Sequence, residues 1–254
     1  MNITHTEPDP KKLAGFWRIE EEPAINAGVP VVSVRKHEMM VIRKLLSKQT
    51  CTALIAMFNA SQIEAPVSVN GLKDECFDIG SKRASGWSEY IAAKLSTIVL
   101  PHLGTLYCED YTATDWWQSD RNRMHHVWEP VAVSPLLRFM RYQRDSEHYA
   151  HYDAGYFYDD GIHRTLKSIV FYLTTHKSGA TRFINDGQHN VAVWRRNHDD
   201  WSRRAIDQEV SYCSYPEQGK ALIFDHRLCH DVQQYDGAEG DRIIIRADII
   251  YRPL

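Results

Sequence analysis

The stretch from Tyr149 to Tyr156 contains the residues in this chain best suited to metal chemistry: His151 and Asp153, two positions apart. Side chains alternate between the two faces of a strand, so both would point the same way, about 6–7 Å apart. An imidazole and a carboxylate at that separation can bind one metal ion. With a second His from elsewhere, they would form the two-His-one-carboxylate set that leaves three positions open on a non-haem Fe(II).

The second half of the chain contains a candidate for that second His. A predicted strand and a short turn precede His230, which lies 77 residues after Asp153, and the basic residue Arg242 follows 12 positions later. His226 and His230 also form an H-x-x-x-H pattern. The zinc-protease version of that motif requires a helix and a Glu after the first His, where this chain has Arg227. His230 is therefore the predicted third ligand.

The elements around these residues are predicted to be short strands separated by Gly, Asp, Asn or Pro. They cover Leu136–Tyr142, His148–Ala154, Ser168–Thr174, Thr181–Ile184, Asn190–Trp194, Val210–Tyr212, Lys220–Asp225, Cys229–Val232 and Arg242–Tyr251. This spacing is typical of a β-sandwich or barrel. The predicted fold class is therefore mainly β with N-terminal helices: a jelly-roll barrel, or double-stranded β-helix.

The predicted helices lie in the first half of the chain. Residues 35–48 have apolar residues at helical spacing and are predicted as a surface helix, whereas 51–58 and 63–69 have strand composition. The clearest helix begins at Ser85, and Pro101 ends it. Its apolar stripe must pack on a large surface.

Strand alternation places the polar site candidates on one face of each strand. The sets that share a face are Tyr149/His151/Asp153, Ser168/Val170/Tyr172/Thr174, Leu228/His230/Val232 and Arg242/Ile244/Arg246/Asp248. The opposite faces are apolar and are predicted to pack against the helices. They contain Ile169/Phe171/Leu173 and Ile243/Ile245/Ala247/Ile249/Tyr251.

Length and composition favour one domain over residues 1–254, with 1–134 as helical and strand support and substrate-side loops, and 135–252 as the jelly-roll catalytic core. A net charge of −3 gives no reason to expect a nucleic-acid or membrane partner. The N-terminus lacks an apolar leader segment, and no apolar run approaches membrane-spanning length. A cytoplasmic location is expected. Five scattered cysteines without C-x-x-C are expected to be reduced.

These motifs together resemble those of the 2-oxoglutarate/Fe(II)-dependent oxygenases, in the branch related to prolyl 4-hydroxylases. The matching positions are His151-x-Asp153, Tyr172-Leu173, Gly179-x-Thr181-x-Phe183, Gly219 to Phe224, His230 and Arg242. The resemblance covers residues 136–252. It implies that His151, Asp153 and His230 bind a catalytic Fe(II), with 2-oxoglutarate and O₂ as co-substrates and ascorbate as a candidate reductant.

The resemblance also implies a site for the distal carboxylate of 2-oxoglutarate, formed by Arg242 and Tyr172. Burial of an arginine inside a barrel is costly unless an anion pairs with it, and a dicarboxylate is such a partner. Tyr142, on the neighbouring inward-facing strand, is either a third contact or a core tyrosine with a satisfied hydroxyl group.

The implied reaction is hydroxylation, or a related oxidation, of an unactivated C–H bond, coupled to decarboxylation of 2-oxoglutarate to succinate and CO₂. Related halogenases have Gly or Ala at the position of Asp153, so its presence favours hydroxylation. The expected substrate is a small molecule such as an amino acid or a specialised metabolite. The alternatives are a peptidyl-proline or other protein side-chain hydroxylase and, from another class, a non-catalytic metal-binding cupin-like barrel, which would not need a buried Arg242.

Two features have open interpretations. Arg246 and Asp248 form either a structural ion pair at the barrel rim or a grip on a polar substrate. Residues 184–217 form a long insertion between barrel strands, which either covers the active site or is a solvated hairpin.

Overall fold

The computed structural model describes residues 31–34, 39–60, 79–83, 88–107, 127–187 and 203–254. Within these ranges the strands are β1 (Val31–Val34), β2 (Met39–Ile42), β3 (Ile79–Arg83), β4 (Leu106–Tyr107), β5 (Val127–Val133), β6 (Arg138–Tyr142), β7 (His148–His151), β8 (Arg164–Tyr172), β9 (Thr181–Ile184), β10 (Val210–Ser214), β11 (Ala221–Asp225), β12 (His230–Val232) and β13 (Arg242–Pro253). The α-helices are α1 (Lys48–Ala60) and α2 (Ser88–Val99). Short 3₁₀ helices cover Leu100–His102 and Asp207–Glu209.

The strands form two antiparallel sheets. The larger sheet has the order β1-β2-β11-β8-β13-β5-β4, with β6 paired to β13 and β3 paired to β6. The smaller sheet has the order β10-β9-β12-β7. Apolar side chains from both sheets, including Tyr172 and Phe224 of the larger and Phe183 and Val232 of the smaller, form one cluster between them. This arrangement is the predicted jelly roll.

The opposite face of the larger sheet packs against both helices. Ile169, Phe171 and Ile245 belong to the same buried cluster as Leu54 of α1 and Leu95 of α2. The prediction that the apolar strand faces pack against the helices is confirmed. The larger sheet is thereby buried on both sides, and β8 contains no exposed residue.

The prediction of a strand over residues 51–58 is wrong, because α1 covers this segment. Its buried residues Cys51, Leu54 and Phe58 follow helical rather than alternating spacing. The backbone N–H of Thr50 donates to the side-chain oxygen of Ser47 at 3.0 Å, as at a helix N-terminus. That capping serine is the sequence signal that identifies the helix.

The predicted helix over 35–48 is also wrong where the structure describes it. Residues 39–42 form β2, which pairs with both β1 and β11. Pairing on both sides outweighs the weak helical preference of this segment. A turn follows, in which Lys44 has φ 57°, and Leu45 and Leu46 are buried.

The strands predicted in the second half are confirmed with shifted ends, and the helix predicted from Ser85 is confirmed over Ser88–Val99. The predicted strands at 63–69 and 190–194 lie outside the described residues. Cys51, Cys213 and Cys229 are free thiols. In the described ranges, no helix is long and apolar enough to cross a membrane. The single-domain organisation and the location remain predictions.

Candidate metal centre and co-substrate pocket

Neighbouring strands of the smaller sheet bring the predicted metal ligands together. His230 of β12 lies directly opposite His151 of β7, and Asp153 follows two residues after His151. Nε2 of His151 lies 3.8 Å from one carboxylate oxygen of Asp153, and Nε2 of His230 lies 3.7 Å from the other. The candidate ligand atoms of all three residues lie within 4.8 Å of one another. Three donors that are mutually close define one side of a metal site, which is the arrangement of a facial triad.

Both imidazole rings are held with Nε2 toward this point. The Nδ1–H of His151 donates to the carbonyl oxygen of Tyr149 at 2.7 Å, and that of His230 donates to the carbonyl of Leu228 at 3.0 Å. Each carbonyl fixes the tautomer whose Nε2 lone pair is free. The backbone therefore prepares both rings to act as ligands.

Burial keeps these imidazoles neutral. Burial, and then the charge of His230, lower the pKa of His151 to about 4, and burial also lowers the pKa of His230. Burial alone would raise the pKa of Asp153, but the positively charged guanidinium of Arg246 beside it holds the pKa well below its usual range. Neutral imidazoles and an ionised carboxylate are the protonation states that a metal requires.

His148 is a neighbour of the metal site that was not predicted from the sequence. Its ring stacks on that of His151, with centroids 4.0 Å apart. Residues three apart in a regular strand point to opposite faces, but the β7–β12 register shifts between the pairs His151–His230 and His148–Val232. This irregularity brings His148 to the metal side, and strand periodicity alone does not predict it.

A buried polar network supports Asp153. The hydroxyl of Ser168 donates to its Oδ2 at 2.5 Å, and Nη2 of Arg246 lies 2.9 Å from its Oδ1. Oδ1 of Asp248 lies 3.2 Å from the same Nη2 and 3.3 Å from the hydroxyl oxygen of Ser168. Nε2 of His226 lies 3.1 Å from Asp248. An Arg246–Asp248 ion pair, one of the two interpretations left open by the sequence, thus exists and extends to the metal ligand Asp153.

Arg242 is completely buried beside the predicted tyrosines. Its Cζ lies 4.3 Å from the ring centroid of Tyr142 and 5.7 Å from that of Tyr172. Its Nη2 donates weakly to Thr181, at 3.4 Å. Nε and Nη1 have no hydrogen-bond partner among the described residues. A buried guanidinium with two free donors is the feature that a bound carboxylate would satisfy.

The hydroxyl group of Tyr172 is already engaged, whereas Tyr142 faces the pocket in front of the metal ligands. The hydroxyl of Tyr172 donates to Oγ1 of Thr181 at 2.9 Å and approaches the carbonyl of Ser214 at 3.3 Å, so its single O–H donor is already used. Tyr142 lines the pocket in front of the metal ligands, as does Thr181. Thr181 therefore links Tyr172 to Arg242 and belongs with the predicted carboxylate contacts, although its role was not predicted from sequence.

The G-x-T pattern has a physical reason in this structure. Gly179 has φ +69°, and a Cβ built on it would lie 3.0 Å from Cδ of Arg242 and 3.1 Å from the ring of Tyr235. A side chain there would displace the arginine. The glycine therefore allows the backbone to approach Arg242, and Thr181 follows two residues later.

Two concave regions meet at this site. Apolar residues make up much of the wall around the metal ligands: Met140, Val170, Phe224, Val232 and Ile244. A second cavity, of about 310 Å³, shares His148 and Val232 with the first and has a polar lining. Paired charges, Arg204 with Glu147 and Arg182 with Asp231, form part of that lining.

Comparison with solved structures places this architecture among known folds. HygX from Streptomyces hygroscopicus, solved with nickel and 2-oxoglutarate bound, matches with a TM-score of 0.52 and 14% identity, covering 87% of this chain and 88% of that one. The fold is a double-stranded β-helix. HygX solved with nickel, 2-oxoglutarate and hygromycin B matches with a TM-score of 0.51 and 15% identity, over 85% of this chain and 83% of that one.

Another solved structure matches with a lower score. A prolyl-4-hydroxylase from Pseudomonas putida matches with a TM-score of 0.47 and 16% identity, covering 86% of this chain and 94% of that one. No protein-family model and no curated protein sequence matches this chain. The HygX structures thus establish the fold, and the function is inferred from the side chains of this chain.

Proposed function

We propose that this protein is an Fe(II)- and 2-oxoglutarate-dependent dioxygenase that hydroxylates an unactivated C–H bond of a small molecule, such as an amino acid or a specialised metabolite. The observation that carries the proposal is Arg242, which is fully buried with its Nε and Nη1 unpartnered among the described residues, in the barrel that brings His151, Asp153 and His230 together. A barrel that only bound a metal would not need the buried guanidinium of Arg242.

The residues present fit both Fe(II) and 2-oxoglutarate. Two Nε2 atoms and one carboxylate suit a first-row divalent ion and leave positions open for other ligands. When bound, Fe(II) supplies the redox chemistry that couples decarboxylation of 2-oxoglutarate to substrate oxidation. Arg242 would hold the distal carboxylate of the co-substrate, while Thr181 and Tyr172 fix the guanidinium. The apolar wall, including Phe224 and Val170, would exclude water from the reacting atoms.

Two observations support a small-molecule substrate. The polar cavity that adjoins the metal pocket offers charged groups and two glutamines, Gln233 and Gln234, for recognition of a hydrophilic compound. HygX, which has the same fold, was solved with the small molecule hygromycin B. Asp153 occupies the position that halogenation would need vacant, so hydroxylation is the preferred outcome.

Succinate release tests the proposal. Purified protein with Fe(II), ascorbate, O₂ and 2-oxoglutarate would be screened against amino acids and specialised metabolites in one arm, and against proline-containing peptides in the other. We expect stimulation by a member of the first arm. His230→Ala and His151→Ala should abolish succinate release without unfolding the protein, whereas His163→Ala, which alters a partly exposed residue paired with Asp160, should retain it.

Each other outcome contradicts a defined part of the proposal. Stimulation by peptides alone would indicate a protein hydroxylase. Failure to form succinate in both arms, with a metal bound, would favour the non-catalytic barrel. Full turnover with Zn²⁺ as the sole metal would exclude the oxygenase mechanism, because Zn²⁺ has no redox chemistry.

A further inference from the structure

The pocket in front of the metal ligands is lined by two arginines other than Arg242. β6 and β13 pair so that Tyr142 lies opposite Arg242 and Arg138 lies opposite Arg246. Arg138 and Arg246 both line this pocket, together with Asp153. The two arginine residues thus occupy directly opposite positions on neighbouring strands and share one pocket. Groups in such positions come close enough to act on one ligand.

The position of Arg246 leaves part of its guanidinium available. Its contacts with Asp153, Asp248 and Ser168 all involve Nη2, at 2.9, 3.2 and 3.2 Å. Its Nε and Nη1 donate to no described residue, although the side chain is only 12% exposed. The two carboxylates and Ser168 therefore hold Nη2, and Nε and Nη1 can each donate a single hydrogen bond to an anion.

This cation is separate from the one assigned to the co-substrate. Arg242 and Arg246 are four residues apart on one strand, which corresponds to roughly 13 Å. One five-carbon dicarboxylate cannot occupy both arginines while its other end binds the metal. Arg246 therefore remains available when Arg242 holds 2-oxoglutarate.

We propose that Arg138 and Arg246 form a carboxylate subsite for the primary substrate, which is therefore a small carboxylic acid. This inference rests on the proposed function and deepens it by naming the substrate class. Because Nη2 of Arg246 lies 2.9 Å from Oδ1 of Asp153, an acid bound to that guanidinium lies beside a metal ligand. The carbons next to its carboxylate are then the ones nearest to the metal, so oxidation is expected at the α or β carbon.

Ligand-observed NMR with matched probes tests the subsite directly. The protein would be loaded with Zn²⁺ and saturating 2-oxoglutarate at constant ionic strength, and titrated with propionate or with its neutral counterpart propionamide. We expect propionate to bind and propionamide not to bind. Arg138→Gln should weaken propionate binding at least tenfold while leaving the dissociation constant of 2-oxoglutarate unchanged.

Arg141→Gln is the matched control. Arg141 lies three residues further along the same strand and contacts Asn59, Phe58 and Asp241 outside the pocket. This variant should bind propionate like the wild type. Equal binding of the two probes, or no effect of Arg138→Gln, would overturn the subsite.

The loading step separates this inference from the proposed function. Normal 2-oxoglutarate binding without propionate binding refutes only the carboxylate subsite. Failure of the wild type to bind 2-oxoglutarate refutes both. If Arg138→Gln weakens 2-oxoglutarate instead of propionate, the arginine pair belongs to the co-substrate and the substrate assignment is wrong.

Discussion

Arg242 is the residue on which the co-substrate assignment depends. Loss of a charged partner from a buried carboxylate costs on the order of 2–5 kcal/mol. Arg242→Gln should therefore raise the dissociation constant of 2-oxoglutarate tens- to thousands-fold. It should leave metal affinity nearly unchanged, because Arg242 makes no contact with the three ligands. Calorimetric titration of 2-oxoglutarate into Mn²⁺-loaded protein measures the first effect, and Mn²⁺ titration measures the second.

Arg246→Gln provides the comparison for that variant. Arg246 contacts the metal ligand Asp153 and its neighbour Asp248, so its loss should weaken metal binding and stability, with a smaller effect on 2-oxoglutarate. A large loss of 2-oxoglutarate affinity at Arg246 and none at Arg242 would place the carboxylate site four residues further along β13.

Lys220 carries a pH-dependent cost to stability. Burial lowers its pKa from 10.5 to about 8, and its ammonium lies 4.7 Å from the ring centroid of Tyr172. Below pH 8 the lysine is charged in both the folded and unfolded states, so the folded state carries the full penalty. Between pH 8 and 10.5 the unfolded chain binds the proton more strongly, so the free energy of unfolding rises with pH.

Lys220→Met should remove this dependence. At pH 7 we expect the variant to be more stable than the wild type by roughly 1–2 kcal/mol, since no buried charge remains. The difference should shrink as the pH rises from 8 to 10.5. Urea unfolding of both proteins at pH 7, 8.5 and 10 measures it, and a constant difference across that range would show that the charge of Lys220 is not the cause.

The turn into β11 depends on a glycine. Gly219 has φ +85°, and a Cβ there would lie 2.2 Å from the carbonyl oxygen of Leu46. The backbone N–H of Leu46 also donates to the carbonyl of Gly219 at 3.0 Å, so the two segments are in direct contact. β11 lies between β2 and β8, and an error at its start affects both pairings.

Gly219→Ala should therefore destabilise the protein by more than backbone strain alone, which costs about 1–3 kcal/mol. Gly161→Ala is the control, because Gly161 has φ +66° but nothing within 4 Å of the added Cβ. Thermal unfolding of both variants measures the excess due to the close approach. Equal losses in the two variants would mean that the Leu46 contact contributes nothing.

Strand alternation predicted the faces of β8, β12 and β13 correctly, because these strands are regular over their inward-facing residues. It failed to predict His148, because a register shift in β7 overrides the alternation. It also did not predict Thr181 as a partner of Arg242. The two residues are 61 positions apart, and a local sequence pattern cannot predict a contact over that separation. The parts of the site that depend on regular strands were predictable, and those that depend on irregularity or on long-range side-chain contacts were not.

Errors in the first half of the chain have a related cause. The composition of 51–58 fits a buried strand as well as a buried helix, and only the serine cap and the helical spacing distinguish them. The composition of 39–42 fits a helix, but β1 and β11 pair with it on both sides. Short apolar segments take their structure from neighbours that are remote in sequence.

The barrel and its ligands should be thermodynamically coupled. A ligand that binds only the folded state stabilises it by about 2.7 kcal/mol at a concentration of 100 times its dissociation constant. For a protein of this size that corresponds to about 5–10 °C in Tm. We expect Mn²⁺ and 2-oxoglutarate together to produce this shift in the wild type. The shift should be lost in Asp153→Ala, and an equal shift in that variant would place metal binding elsewhere.

The most direct measurement is an anaerobic titration of Fe(II)-loaded protein with 2-oxoglutarate, followed by visible absorption. Chelation of the 2-oxo acid to Fe(II) gives a weak charge-transfer band in the visible region. We predict that this band appears and saturates in the wild type, requires higher 2-oxoglutarate concentrations in Arg242→Gln, and is absent in His151→Ala. If Fe(II) binds to the wild type but 2-oxoglutarate produces no band, the metal centre is not that of a 2-oxoglutarate-dependent oxygenase.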